Sequence, residues 1–206
     1  MPVNASGAPE LLLAADTGST LYPSSWTPDG KALLYEKSFT DSATKTQIWI
    51  LPATASGGDR QPRLLIQAAG RVSDARVSPD GKWVAYESAE SGRQAVYVVP
   101  FAGPGAKTMI STQVGVEPRW ARSGRELFFK QFGQAVPGLM VVDMATTPPG
   151  RPQQLFSIRS GYDVAPDAQR FLVARSPQAQ TDRPVTTFIV ITDWFEQLRR
   201  RAPVKK

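Results

Sequence analysis

The sequence feature that most constrains the fold is a tight turn that recurs along the chain, each time just before an apolar run. The four copies are Pro28-Asp29-Gly30, Pro79-Asp80-Gly81, the degenerate Arg122-Ser123-Gly124, and Pro166-Asp167-Ala168, spaced 51, 43 and 44 residues apart. Proline fixes φ for the turn, aspartate can accept hydrogen bonds from nearby backbone, and glycine tolerates a positive φ. A turn at a nearly constant period predicts repeated structural units stacked side by side.

Each turn is followed by segments with strand character. The first apolar runs lie at 32–35, 83–86, 126–129 and 170–173, and the second at 48–51, 96–99, 139–142 and 188–191. Weaker segments at 63–66, 108–110 and 154–156 complete the units. The runs are apolar at nearly every position, which is typical of strands covered on both faces. About four short antiparallel strands per unit correspond to one blade of a propeller.

The sequence therefore predicts an all-β protein, a β-propeller with about four visible blades. The predicted repeat region is 10–194, with blades at about 21–66, 72–111, 116–157 and 160–192. A β-sandwich is the competing all-β architecture, but it would not require one turn to recur at a fixed period. The aromatic residues near the strands, Trp26, Trp49, Trp83, Trp120 and Tyr86, are expected to pack in the core.

The two ends of the chain differ from the repeats. We expect residues 1–9 to be disordered and residues 10–15 to form an unattached strand. Asp193 can cap a helix and Glu196 can reach back to it, which predicts a short helix at 194–200, followed by a basic tail to residue 206. The net charge is +6, and five of the 24 basic residues lie in the last eight positions, so the remainder is close to neutral. A solvated tail is expected rather than a nucleic-acid-binding face.

Composition excludes several kinds of chemistry. The chain has no cysteine and no histidine, so a thiol nucleophile, an imidazole base and the commonest zinc ligands are all absent. No catalytic, cofactor-binding or metal-binding residue is predicted, and no cofactor is expected. No apolar stretch reaches the roughly 18–20 residues of a membrane-spanning helix, so this segment is not expected to insert into a membrane.

Two groups of residues stand out nonetheless. Pro28, Asp29, Gly30, Pro79, Asp80, Gly81, Pro166 and Asp167 are predicted to be structural residues of the blade turns. Three arginines near the strands that enter each blade are candidates to face the central channel, where they would suit a small anionic ligand: Arg76, Arg119 and Arg122.

The repeated Trp/Val-x-Pro-Asp-Gly-Lys motif, followed by an apolar strand that ends in Tyr35 or Tyr86, resembles the TolB-type, WD-repeat-like propeller repeat of bacteria. The resemblance covers about 21–194. Similar repeats form the TolB propeller, the gating propeller of prolyl-oligopeptidase-like peptidases and the extracytoplasmic part of some membrane Ser/Thr kinases. The segment 192–198 is similar to the end of such kinase-linked proteins. The resemblance implies a protein partner of unknown identity and a periplasmic or extracytoplasmic location.

Three functional hypotheses follow, and the sequence leaves them open. The first is a non-catalytic scaffold for protein–protein interaction or sensing. The second is an accessory propeller of a larger enzyme, a Ser/Thr kinase or a prolyl-oligopeptidase-like peptidase, encoded upstream. The third is a propeller enzyme that uses acids in its channel, which the lack of histidine disfavours.

Ring closure is also open at this point. If four blades form the whole molecule, residues 11–14 should pair beside residues 188–191 and close a ring. If the chain is part of a larger propeller, the blades should form an open arc. The arc is favoured because six blades are usual for the repeats that the sequence resembles.

Overall fold

The protein is described from a computed structural model, which covers residues 10–54, 60–102, 105–175 and 187–191. These residues form fifteen strands in four antiparallel sheets, each made of consecutive strands. The first sheet contains β1 (Ser19–Trp26), β2 (Ala32–Phe39), β3 (Ser42–Pro52) and β4 (Arg63–Gln67). The second contains β5 (Val72–Val77), β6 (Trp83–Ser88), β7 (Ala95–Pro100) and β8 (Thr108–Met109). The third contains β9 (Gly115–Trp120), β10 (Glu126–Gln131), β11 (Gly138–Asp143) and β12 (Gln153–Ser157), and the fourth β13 (Tyr162–Val164), β14 (Phe171–Arg175) and β15 (Thr187–Ile191).

Three apolar cores join the sheets face to face. Leu34 and Ile48 of the first sheet meet Val84 and Tyr86 of the second. Further along the chain, Ala85 packs with Phe129 between the second and third sheets. The ring of Phe128 meets that of Phe171 edge-on at 5.2 Å between the third and fourth. Alternate residues of one strand thus enter different cores, which explains why these strands are apolar at nearly every position. The predicted β-propeller architecture is confirmed.

The second strand of each sheet lies between its neighbours in matching register. Tyr35 pairs with Trp49, Tyr86 with Tyr97, and Phe129 with Met140. These pairs occupy the same place in successive sheets, so positions in one blade can be compared directly with those in the next. We call the face turned toward the preceding blade the entry face and the opposite one the exit face.

Residues 10–15 do not form the predicted strand. Residues 10–16 have no regular structure and cross the entry face of the first sheet. Leu13 and Ala14 line a cavity of about 150 Å³ there, together with Leu21, Tyr35 and Trp49. Asp16 is ion-paired with Lys37 at 2.7 Å, which fastens the crossing segment. Leu12 and Leu13 are half-buried, whereas Leu11 is 77% exposed, so the segment lies on the face of the sheet and does not extend its edge.

The strand pairing that would close a four-bladed ring is not formed. Among the described residues, β15 pairs only with β14, and residues 10–16 pair with no strand. The pairing expected for a closed four-bladed ring is therefore absent from the described part of the chain, and the favoured open arc stays a prediction. The predicted N-terminal disorder at 1–9 and the predicted helix and basic tail at 193–206 lie outside the described residues.

Candidate functional site

The four repeated turns share one hydrogen-bonding pattern. The side-chain oxygen of Asp29 accepts the N–H of Lys31 at 3.1 Å, and the backbone N–H of Gly30 bonds to the carbonyl of Thr27 at 2.9 Å. Equivalent bonds reach Asp80, Ser123 and Asp167 from the N–H groups two residues later, at 3.2, 3.1 and 3.0 Å. This is the local bonding that favours aspartate and serine in turns.

Hydrogen bonds also keep these turn carboxylates charged. The hydroxyl of Thr27 donates to Asp29 at 2.6 Å, and this bond lowers the pKa of Asp29. Burial opposes the charge on Asp80, but bonds from Ser78 and Lys82 outweigh it and lower the pKa of Asp80. The N–H of Gln169 lowers the pKa of Asp167. Each carboxylate is occupied within the turn of its own blade, which supports the structural role predicted for these residues and their flanking prolines and glycines.

Two of the candidate channel arginines meet at one aspartate. On β5, Arg76 contacts Asp74 at 2.7 Å and donates to the carbonyl of Ser24 on β1 at 2.8 Å. From β9, Arg119 reaches the other oxygen of Asp74 at 2.8 Å. Burial opposes the charge on Arg119, but Asp74 outweighs it and raises the pKa of the guanidinium. Because both guanidinium groups are engaged by one carboxylate, this place links the first strands of three successive sheets more than it forms an open anion site. We call these first strands, β1, β5 and β9, the inner strands.

The third candidate arginine lies elsewhere. Arg122 is exposed on the turn after β9 and belongs to the Pro-Asp-Gly-like repeat, outside the Asp74 cluster. It occupies the position of proline in the other turns, so its side chain lies at the chain reversal and not between the blades. The structure thus brings together two of the three predicted arginines.

Asp74 has the conformation that allows this bridging. Its φ is +47°, and Glu117, at the same place in β9, has a φ of +57°. The strand pairing skips a residue at each of these places, so each inner strand contains a β-bulge. A bulge redirects side chains and is common beside functional sites. Here it turns an acidic side chain toward the neighbouring blade.

A set of charged residues that sequence reasoning missed connects the blades. Glu36, Glu87 and Lys130 each follow the apolar run of the second strand, one in each of the first three blades. Glu87 accepts the N–H of Glu117 at 2.7 Å, and Lys130 contacts the carboxylate of Glu117 at 2.5 Å. The signal is visible when the repeats are aligned. The residue directly after Tyr35 and after Tyr86 is charged, although it lies in the same strand as the apolar run before it.

Between the first and second blades, Glu36 makes a different contact. Glu36 is 8% exposed, and its carboxylate lies 3.6 Å from a guanidinium nitrogen of Arg71. Burial raises the pKa of Glu36, with Glu87 and Asp74 adding to the effect and Arg71 opposing it. A cavity of about 510 Å³ lies beside it, also lined by Tyr22, Ser24 and Arg76. We call this space the axial cavity.

Exposed groups surround the axial cavity. The side chain of Tyr22 is 53% exposed, and that of Arg71 is 55% exposed. Inside, the hydroxyl oxygen of Ser24 is buried and has no hydrogen-bond partner among the described residues. The cavity thus combines an aromatic and a cationic group at its edge with polar groups within. Within the described part of the chain, no group of three or more metal-ligating side chains occurs.

The four sheets, packed face to face and joined at Asp74, define a β-propeller. Comparison with known proteins gives the same fold. No protein-family model matches the sequence, and no curated protein matches it either. Solved structures do match. TolB from Acinetobacter baumannii superimposes with a TM-score of 0.66 at 19% identity, over 84% of this chain and 42% of TolB.

Two further matches show how widely the fold is used. Oligogalacturonate lyase from Vibrio parahaemolyticus has a TM-score of 0.70 at 9% identity, over 89% of this chain and 54% of the lyase. The β-propeller domain of the Trilobed protease from Pyrococcus furiosus, described as having an open velcro topology, has a TM-score of 0.60 at 14% identity, over 87% of this chain and 56% of that domain. The chain spans 42–56% of the length of these three structures. At these identities the matches establish the fold and not the function.

The similarity to TolB-type propellers expected from the repeated turn is confirmed at the level of the fold. The suggested link to membrane kinases stays a prediction. In the described part of the chain, no helix has the length and apolar character needed to cross a membrane.

Proposed function

We propose that this chain is a non-catalytic propeller scaffold that binds a protein partner at the axial cavity. The observation that carries the proposal is the exposed pair of Tyr22 and Arg71 at a polar cavity on the inner strands. Tyrosine and arginine are among the residues that contribute most to binding energy at protein interfaces. A polar cavity next to exposed groups of this kind is suited to a side chain or loop of a partner.

The absence of an ordinary catalytic group supports a binding role over catalysis. The chain has no histidine or cysteine, and two of the acids on the inner strands are held in close ion pairs. Asp74 is held by two arginines, and Glu117 is held by Lys130. A general base must be able to reach a substrate proton, which carboxylates in such pairs are poorly placed to do.

A photo-crosslinking experiment tests this proposal. A photoreactive phenylalanine analogue replaces Tyr22 in one variant and Phe132 in a second, which is 39% exposed on the third blade and away from the cavity. After irradiation in extract from the source organism, position 22 should give a discrete adduct that Arg71→Glu abolishes, and position 132 should not. Equal adducts from both positions would contradict the proposal, as would turnover of a peptide or ester that a single substitution in the purified chain removes.

A second candidate is an accessory propeller of a larger enzyme, either a Ser/Thr kinase or a prolyl-oligopeptidase-like peptidase. The similarity to the propeller domain of the Pyrococcus furiosus protease favours it. The coding sequence upstream of Met1 discriminates between the candidates. An in-frame kinase or hydrolase domain would favour the accessory role.

A further inference from the structure

The first and the last of the four described sheets carry apolar side chains at positions that the sheets between them bury. On entry faces, Trp26 matches Val77 and Trp120. Val77 is 7% exposed, and the indole nitrogen of Trp120 donates to the carbonyl of Arg76 in the preceding blade at 2.9 Å. Trp26, by contrast, is 54% exposed. Trp26 was expected in the core, and that prediction is wrong because no sheet among the described residues covers its face.

The opposite end shows the same discrepancy. On exit faces, Leu172 matches Leu34, Ala85 and Phe128. Those three are 0% exposed because the following blade covers them, whereas Leu172 is 42% exposed. Each of the three cores in the described part of the chain forms where an exit face meets an entry face. The two end faces are therefore of the two kinds that pack together three times within the chain.

We infer that the entry face around Trp26 binds the exit face around Leu172 of a second copy of this chain. The contact continues the blade-to-blade packing already present. It would bring Trp26 near the backbone carbonyl of Asp163, which occupies the place of Arg76 in the fourth blade. Because the two patches differ, the interface is head-to-tail, and such interfaces produce closed rings or open chains of subunits.

The segment 10–16 covers only part of this entry face. It lies over Leu21 and Trp49 and is tied to Lys37, whereas Trp26 is at the other end of β1. A second copy can thus reach Trp26 directly and displaces the crossing segment as the contact extends outward. The ion pairs that must break are Asp16–Lys37, at 2.7 Å, and Glu10–Arg60, at 2.9 Å. Asp16 and Glu10 are largely exposed, so solvent screens both pairs and limits their contribution to stability. The second copy must also replace the contacts that Leu13 and Ala14 make on this face.

Mixing two variants tests this inference sharply. Trp26→Glu disables the entry face and Leu172→Glu disables the exit face, each at an exposed position. By sedimentation velocity over a range of concentrations, the unaltered 206-residue chain should associate, and each variant alone should remain monomeric. Their equimolar mixture should form a one-to-one dimer, because one variant retains an exit face and the other an entry face.

Several results would overturn the inference. A monomeric unaltered chain would do so, as would association of either variant alone or a mixture that stays monomeric. Phe132→Glu is the matched control, since Phe132 is similarly exposed but belongs to a blade with a neighbour on each side. It should associate like the unaltered chain. Circular dichroism and the urea midpoint of each variant establish that it is folded before its mass is interpreted.

Discussion

At the scale of single residues, the repeated turn depends on a left-handed backbone at its last position. Gly30 has a φ of +69°, and a Cβ added there would meet nothing within 4 Å. Gly30→Ala therefore introduces backbone strain without a steric clash. We expect it to lower the free energy of unfolding by about 1 kcal/mol, the order of the cost of the left-handed conformation for residues other than glycine. Urea denaturation followed by circular dichroism measures the loss.

Gly161 provides the matched control for that substitution. A Cβ on Gly161 also meets nothing within 4 Å, but its backbone lies outside the left-handed region. Gly161→Ala should leave stability unchanged or raise it by about 0.5 kcal/mol, because alanine restricts the unfolded chain. If the two substitutions cost the same, backbone strain at Gly30 is not the reason for glycine in this turn.

At the scale of structural elements, one buried hydroxyl joins β3 to the start of β5. The hydroxyl of Thr46 donates to the carbonyl of Val72 and accepts the N–H of Val72, both at 2.6 Å, and Thr46 is 3% exposed. Thr46→Val keeps the shape but leaves two buried backbone groups unpaired. We expect a loss of about 2 kcal/mol in the free energy of unfolding, measured by urea denaturation.

Thr46→Ser is the control for the hydroxyl. It retains both hydrogen bonds and loses one buried methyl group, which should cost about 0.8 kcal/mol or less. A valine variant as stable as the serine variant would mean that this bond does not contribute to the union of the first two blades.

At the scale of the whole molecule, the position of a blade in the array sets its protection from solvent. In β6, both Val84 and Ala85 are 0% exposed because a core lies on each side. In β14, Phe171 is buried but Leu172 is exposed. Hydrogen exchange followed by mass spectrometry should therefore show slower exchange for peptides from β6 and β10 than for those from β14. Uniform exchange across the four sheets would contradict this picture and indicate one cooperative unit.

The sequence by itself determined the propeller fold, because both of its signals are local. A Pro-Asp-Gly turn depends on the torsion angles and hydrogen bonds of four or five residues. The runs after it are apolar at nearly every position because each strand is covered on both faces, and this pattern is visible without knowing which blade provides the cover. The structural role predicted for Asp29, Asp80 and Asp167 rests on the same local chemistry.

Only the tertiary structure decided which groups meet across blades. Asp74 and Arg119 are 45 residues apart, and their pairing depends on β-bulges that place Asp74 at a positive φ. The sequence places Arg122 in the degenerate turn Arg122-Ser123-Gly124, but it does not show that Arg76 and Arg119 share Asp74. Likewise, Trp26 and Trp120 look equivalent along the chain, and only the presence or absence of a neighbouring sheet makes one exposed and the other a core residue. Burial is a property of what lies opposite a side chain, which a repeat pattern does not specify at its ends.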